Sequence, residues 1–374
     1  MSTADRFSRQ TSLPEFGQEG QKALACSSVL IVGCGGLGSP VALYLAAAGV
    51  GRLGLVDGDS VDLSNLQRQI LFSEHEVGKE KAVAAQARVS QMNSAVTIDC
   101  FPRMYSGDWA LEISQGYDLI VDCTDNFSSK FLINDIAVRL KKPFVQASVS
   151  GFEGRLVSYW PGKSACYRCL HPNLPEVKVQ NCREAGVLGP VVGVLGCWQA
   201  LECLKVLLDI RGTELLRPSY GRLLVFDLID NTQQALIVPR RENCLCRSGP
   251  ESIRVWEVPS ACEAAPRFPE VTWEEANAMD SVAFLDVREV SEVERGMIPG
   301  ARHWPSSRME AGEMPEFLDA GGSWVVYCAA GMRSQRAVSL LKTKCPHLKI
   351  FSLARGIDTL DFGALGGGGR VVSP

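Results

Sequence analysis

Two sets of residues in this chain have types and spacings that do chemistry. The first opens with Gly33-Cys34-Gly35-Gly36-Leu37-Gly38, four glycines in six residues. It continues through Asp57-Gly58-Asp59, Ser64-Asn65-Leu66-Gln67-Arg68-Gln69, Lys81 and Asp125-Asn126. Glycines let the backbone close on a phosphate, and a helix starting there offers free N–H groups and positive potential. Asp57 lies 24 residues beyond Gly33, near the place of a carboxylate that binds ribose hydroxyls. The glycine loop by itself leaves the nucleotide open, because a nicotinamide-dependent dehydrogenase begins the same way. A nicotinamide site has no need of Arg68, Lys81 and Asp125 together. Asp125 with Asn126 after a strand also has the form of a helix cap.

The second set is sulfur. The chain holds 14 cysteines. Cys166-Tyr167-Arg168-Cys169 is half of a tetrahedral thiolate site. Cys182 lies in a polar loop beside Arg183, a setting that suits a reactive thiolate. Cys328-Ala329-Ala330-Gly331-Met332-Arg333-Ser334 joins a strand to a helix. Its thiol is expected in a cradle of N–H groups at a helix N-terminus, with Arg333 adding positive charge, which favours an anionic sulfur.

The elements that must hold these residues can be read from the pattern. Residues 5–25 suggest one or two short polar helices. Val29 to Val32 is a β-branched strand, 36–49 a helix, Arg52 to Val56 a strand and Lys79 to Met92 a helix. Further strands are expected at Val96 to Phe101, Tyr117 to Asp125, Phe144 to Ser150 and Arg155 to Trp160. Alternation through about residue 150 implies a doubly wound parallel sheet. A long helix follows at 190–209, then strands 222–228 and 234–238 and the pair Cys244-Leu245-Cys246. Residues 251–268 read as a linker, and 269–362 as a second, small α/β domain. Thr272-Trp273-Glu274-Glu275 is a capped helix start, Val282 to Arg288 and Trp324 to Tyr327 are strands, and Gln335 to Lys342 is a helix. The tail, 363–374, is rich in glycine.

A net charge of −4 with no basic block argues against nucleic acid as the main partner. The N-terminus lacks the order of a secretion signal, so the thiols are expected reduced, in a cytoplasmic setting. The apolar run Val187 to Leu208 contains Glu202 and Lys205 and reads as a buried helix, not a membrane span.

Residues 1–250 resemble the ubiquitin-activating-type adenylyltransferases of sulfur-carrier pathways, the MoeB and ThiF type enzymes and the eukaryotic MOCS3 type. The matching motifs are Arg9-Gln10 and the first set above, in the family's order. The resemblance implies a Rossmann-like domain that adenylates the C-terminal glycine of a ubiquitin-like sulfur carrier protein ending in Gly-Gly. Attack of that carboxylate on ATP needs cations around the transferring phosphoryl group and a metal on its oxygens. By resemblance, Gly33, Gly35, Gly36, Asp57, Asp59, Ser64, Asn65, Leu66, Gln67 and Asn126 belong to the ATP site. Asp57 binds ribose, and Asn65, Arg68 and Lys81 hold the triphosphate. Asp125 helps position Mg²⁺, and Arg9 reaches the phosphates of a partner subunit, which implies a homodimer. A structural Zn²⁺ on Cys166, Cys169, Cys244 and Cys246 is also implied. The family's second pair is Cys-x-x-Cys, so Cys246 is the ligand in doubt, with His171 or Cys262 as substitutes. Cys182 matches a loop cysteine that attacks the activated carboxyl or pairs with a sulfur intermediate; an idle exposed thiol is the alternative.

Residues 269–362 resemble a rhodanese sulfurtransferase domain through Leu285-Asp286-Val287-Arg288, Ile298-Pro299-Gly300-Ala301 and the loop 328–334. Met297 stands where that family often has His. The resemblance implies a persulfide on Cys328, cradled by Gly331, Arg333 and Ser334, loaded by a cysteine desulfurase or thiosulfate. Four residues separate Cys328 from Arg333, one fewer than in phosphatases of this fold, which favours a single transferable sulfur. The linker would let Cys328 travel between donor and adenylate. Two rivals stay open from sequence. One is a nicotinamide-dependent oxidoreductase with a regulatory thiol module. The other is a non-catalytic carrier-binding scaffold.

Overall fold

The computed structural model describes residues 6–173, 186–213, 215–249, 253, 268–279, 282–293, 296–310, 313–315, 317–318, 322–329, 331–354 and 356–357. The chain divides into two compact units, Met1–Ser260 and Ala261–Pro374.

In the first unit, α1 (Ser8–Thr11) and α2 (Gly17–Ala25) lead to β1 (Ser28–Val32), α3 (Gly38–Ala48) and β2 (Arg52–Val56). The alternation runs on through α4 (Lys81–Met92), β3 (Thr97–Phe101), α5 (Gly107–Gln115), β4 (Leu119–Asp122), α6 (Phe127–Arg139) and β5 (Phe144–Ser150). Then come β6 (Glu153–Tyr159), α7 (Tyr167–Leu170), α8 (Gly189–Ile210), β7 (Arg222–Asp227), β8 (Thr232–Ile237) and α9 (Leu245–Ser248). The sheet has eight strands in the order β3-β2-β1-β4-β5-β6-β7-β8. β1 to β5 are parallel, and β6 to β8 extend the sheet antiparallel.

β1 shows why the sheet is buried on both faces. Val29 and Ile31 pack on one side with α3 and α8, Leu30 and Val32 on the other with α6. The period of two sends successive side chains to opposite cores, and helices cover both. α8 has the length and apolarity of a membrane span, yet Leu195, Gln199, Cys203, Val206 and Leu207 are buried in the core. The strand order reverses between β1 and β4, and ligands of such sheets bind beyond the strand ends at that crevice. α5 has no counterpart in the sequence reading; it is a short helix of nine residues.

The second unit is a five-stranded parallel sheet, β11-β10-β12-β13-β9. Its elements are β9 (Glu270–Val271), α10 (Trp273–Asn277), β10 (Val282–Asp286), α11 (Val290–Val293), β11 (Arg302–His303) and α12 (Ser306–Glu310). β12 (Ser323–Tyr327), α13 (Met332–Lys344) and β13 (Lys349–Leu353) complete it. Thr272 caps α10 in a reciprocal box with Glu275, as its sequence suggests. α13 begins at Met332, earlier than the pattern indicates, because Gly331 at φ 88° turns the loop directly into the helix.

Candidate functional site

A cavity of about 620 Å³ opens beyond the ends of β1, β2, β4 and β5. Gly33, Gly35, Gly36, Asp57, Asp59, Arg68, Lys81, Asp125 and Asn126 all line it. The glycine loop is built by close approach: a Cβ on Gly38 would lie 2.0 Å from the carbonyl oxygen of Gly33. No side chain fits there, so α3 starts tight against the strand end.

Asp57 holds this loop. Its Oδ2 accepts from the Cys34 N–H at 2.8 Å and its Oδ1 from the Asp59 N–H at 2.9 Å. Burial raises the carboxyl above its ordinary range, against the opposing pull of Lys81 and these two amides. Lys81, the first residue of α4, is buried, and its Nζ donates to Asp59 Oδ2 at 3.0 Å. Arg68 is half-buried and donates to the Ser64 carbonyl at 3.0 Å. Asn126 caps α6, its Oδ1 accepting from the Ser129 N–H at 2.8 Å, which leaves Asp125 exposed at the cavity. Cys34 is buried beneath the loop, and burial, then Asp57, pushes its thiol up; it is no nucleophile.

Ser64, Asn65, Leu66 and Gln67 do not line the cavity. Asn65 is buried, and its Oδ1 accepts from the Asp62 N–H in the turn that carries Arg68. Arg9 is exposed on α1, away from the cavity residues. Sequence reasoning missed Lys130 and Asp122. Lys130 lines the cavity and donates to Asp122 Oδ2 at 3.1 Å and to the Ala147 carbonyl at 2.9 Å. Asp122 in turn accepts from the Thr124 N–H at 2.9 Å, fixing the loop that presents Asp125. A Lys three residues beyond Phe127, on the face turned to the strand ends, was the only sign available in the sequence.

Cys166, Cys169, Cys244 and Cys246 are buried together, all four sulfurs within 4.8 Å of one another. Cys166 lies 3.9 Å from Cys169 and 3.5 Å from Cys244, and Cys169 lies 3.6 Å from Cys246. A tetrahedral zinc with Zn–S of about 2.3 Å sets its sulfurs roughly 3.8 Å apart. The four residues therefore fit that ion. Hydrogen bonding within the cluster draws Cys169 below the ordinary thiol range and Cys244 to about 7, and pushes Cys166 and Cys246 up, so the four thiols share their protons unequally. The shorter second pair still delivers Cys246. His171 lines the nucleotide cavity, its ring against Tyr167, and is not among the four. Cys182 and Cys262 lie outside the described residues.

In the second unit, Cys328 follows β12 and is buried. The Ser334 N–H, in the first turn of α13, donates to its Sγ at 3.4 Å, and Ser334 Oγ stands 3.7 Å away. That Oγ donates to the Gly331 carbonyl at 2.8 Å and lies 2.9 Å from Ser352 Oγ. The Ser334 N–H thus faces the sulfur, and the Gly331 carbonyl braces the Ser334 hydroxyl. Arg333 has a second engagement: both guanidinium arms donate to Glu292, at 2.6 Å each. This pairing holds the Glu292 carboxyl down to about 2 and raises Arg333. Glu292 sits 41 residues before Arg333, and no spacing rule marks it. The Asp286 and Arg288 motif is a buried ion pair at 2.7 Å, a framework element of this unit.

Comparison with known proteins identifies both units. The ThiF family matches residues 7–248, and the rhodanese-like domain matches residues 270–360. The chain is 39% identical over 372 residues to the adenylyltransferase and sulfurtransferase MOCS3 of Mus musculus, covering 90% of this chain and 80% of that one. It is 38% identical over 399 residues to MOCS3-1 of Zea mays, covering 99% and 82%. Among solved structures, E. coli MccB with ATP superposes with a TM-score of 0.55 at 24% identity, over 65% of this chain and 74% of that one. That likeness concerns the fold. The chain belongs to the ThiF family, joined to a rhodanese-like domain as in the MOCS3 adenylyltransferases and sulfurtransferases.

Proposed function

We propose that this chain uses ATP to adenylate the C-terminal glycine of a ubiquitin-like sulfur carrier protein ending in Gly-Gly, and then transfers sulfur to it from a persulfide on Cys328. The observation that carries this reading is the set of groups lining one cavity: a glycine loop at a helix start, the Asp57 carboxylate, the cations Arg68 and Lys81 and the exposed Asp125. A dinucleotide oxidation site calls for the first two and not for the rest.

The carrier carboxylate attacks the α-phosphorus, an acyl–phosphate bond forms and pyrophosphate leaves. Arg68 and Lys81 offset the charge that gathers on the phosphates, and Asp57 takes the ribose hydroxyls. Lys81 is pre-positioned by Asp59, and burial keeps its charge effective. A Mg²⁺ held at Asp125 supplies further charge on the phosphate oxygens when bound. Asn65 acts through the turn it braces, and Arg9 serves a second subunit's phosphates, so the working form is a homodimer. The terminal sulfur of the Cys328 persulfide attacks the activated carbonyl and AMP leaves, giving an acyl disulfide. The Cys182 thiolate then attacks Cys328 Sγ, a Cys182–Cys328 disulfide forms and the carrier thiocarboxylate leaves, and an external thiol reductant returns both cysteines to thiols. A cysteine desulfurase or thiosulfate loads Cys328. Zn²⁺ on the four cysteines is structural, because four thiolates leave no open position. These thiol steps suit a cytoplasmic setting.

Exchange of labelled pyrophosphate into ATP, dependent on a Gly-Gly-ended carrier, tests the first half. Asp125→Ala is expected to abolish it. Full exchange by that variant overturns the site assignment.

A further inference from the structure

The pair Cys244-Leu245-Cys246 enters the thiol cluster with one residue between its cysteines, where Cys166 and Cys169 have two. Cys244 caps α9 and Cys246 is its second residue, whereas Cys166 caps α7 and Cys169 is its third, so Cys246 enters the cluster one position earlier in the turn and a contact from outside the pair can fix it there. Arg240 is the residue in position to do this. One guanidinium arm donates to the Gly162 carbonyl at 2.5 Å, in the turn that leads into Cys166, and the other to the Cys246 carbonyl at 3.1 Å. A single planar group thereby joins two cysteine-bearing loops about 80 residues apart in sequence.

Two further observations point from Arg240 to a charged centre. Its Nε–H is buried and has no hydrogen-bond partner among the described residues. A buried, unpaired donor on a cation is costly unless an anion faces it. No carboxylate among the described residues pairs with Arg240, whereas neighbouring Arg168 is spent on Asp135 at 2.6 and 2.7 Å. A zinc ion with four thiolates is a dianion, and in a buried site a cation or N–H donors beside it offset that charge.

We propose that Arg240 is the positioning residue of this metal site: it closes the shortened cysteine pair around the ion and sets a fixed positive charge against the tetrathiolate. The proposal rests on the zinc reading given above, and the measurement separates the two. Full-length protein is assayed for zinc by elemental analysis, and zinc release is followed with the chromogenic chelator pyridylazoresorcinol. Wild type is expected to carry zinc and to release it slowly. Arg240→Gln is expected to release it about 10–100-fold faster, or to purify depleted of it. Arg240→Lys keeps the charge and loses the fork, and is expected to fall between; it carries the test should Arg240→Gln not fold. Arg241→Gln, at the adjacent exposed arginine, is expected to behave as wild type. Release from Arg240→Gln and Arg240→Lys at the wild-type rate overturns the role of Arg240, as does equal acceleration by Arg241→Gln. A wild type without zinc overturns the metal reading itself, and this inference with it.

Discussion

At the scale of single residues, several of the charges near the two sites are already paired. Lys130 and Asp122 are both buried and satisfy one another. Lys130→Met would strand the Asp122 carboxylate in the core, at a cost of about 3–5 kcal/mol, read as a lower denaturation midpoint. Cys328→Ala is expected to keep carrier-dependent pyrophosphate exchange and to lose all cyanolysable sulfur; sulfur retained on that variant contradicts the assignment of Cys328. Arg333 and Glu292 give a pH signature. Arg333 depresses the folded Glu292 carboxyl to about 2, below an unfolded value of roughly 4.3. A depressed acid stabilises fully above its unfolded value and loses that contribution as pH falls toward the folded one. Glu292→Gln is therefore expected to flatten the acid limb of the second unit's melting temperature between about pH 4.5 and 2. The effect is small, because both side chains are partly exposed. An unchanged acid limb rejects the pairing.

At the scale of elements, the strand, turn and helix around Gly33 to Ala48 were readable because every local signal agrees there. A β-branched run, a glycine cluster and an apolar helix each point to one phosphate-binding turn. Gly38→Ala tests that turn: its new Cβ would meet the Gly33 carbonyl, costing about 1–3 kcal/mol and abolishing nucleotide binding by titration calorimetry. Wild-type binding by this variant contradicts the tight turn. What the sequence left hidden is what needs distant partners. The Lys130 pairing spans β4 and α6, Glu292 reaches Arg333 across the fold, and Ser352 on β13 meets Ser334 on α13. None of these carries a spacing rule, and each exists only once the sheets have formed. Asn65, expected at the phosphates, braces the turn of Arg68 through its Oδ1, a role that no spacing in the sequence indicates. Cys246 was the doubtful ligand on spacing alone, and tertiary contacts at its carbonyl deliver it to the cluster.

At the scale of the whole molecule, two compact units hold two chemistries, and each unit has its own core. The four cysteines tie the loop after β6 to the segment after β8, so they brace only the first unit. Chelation of zinc is expected to lower the unfolding transition of the first unit and to leave amide protection in β10, β12 and β13 unchanged, by hydrogen exchange; loss of protection in both units contradicts that division. The central claim is that adenylation in one unit and sulfur transfer from Cys328 in the other act in succession on one carrier tail. Intact-mass measurement of a Gly-Gly-ended carrier, incubated with the full-length chain, ATP, Mg²⁺ and a sulfur source, tests it most directly. The account predicts the mass gain of one oxygen exchanged for sulfur with wild type, and none with Cys328→Ala or when ATP is left out. Thiocarboxylate formed by Cys328→Ala, or an unaltered carrier after incubation with wild type, would contradict it.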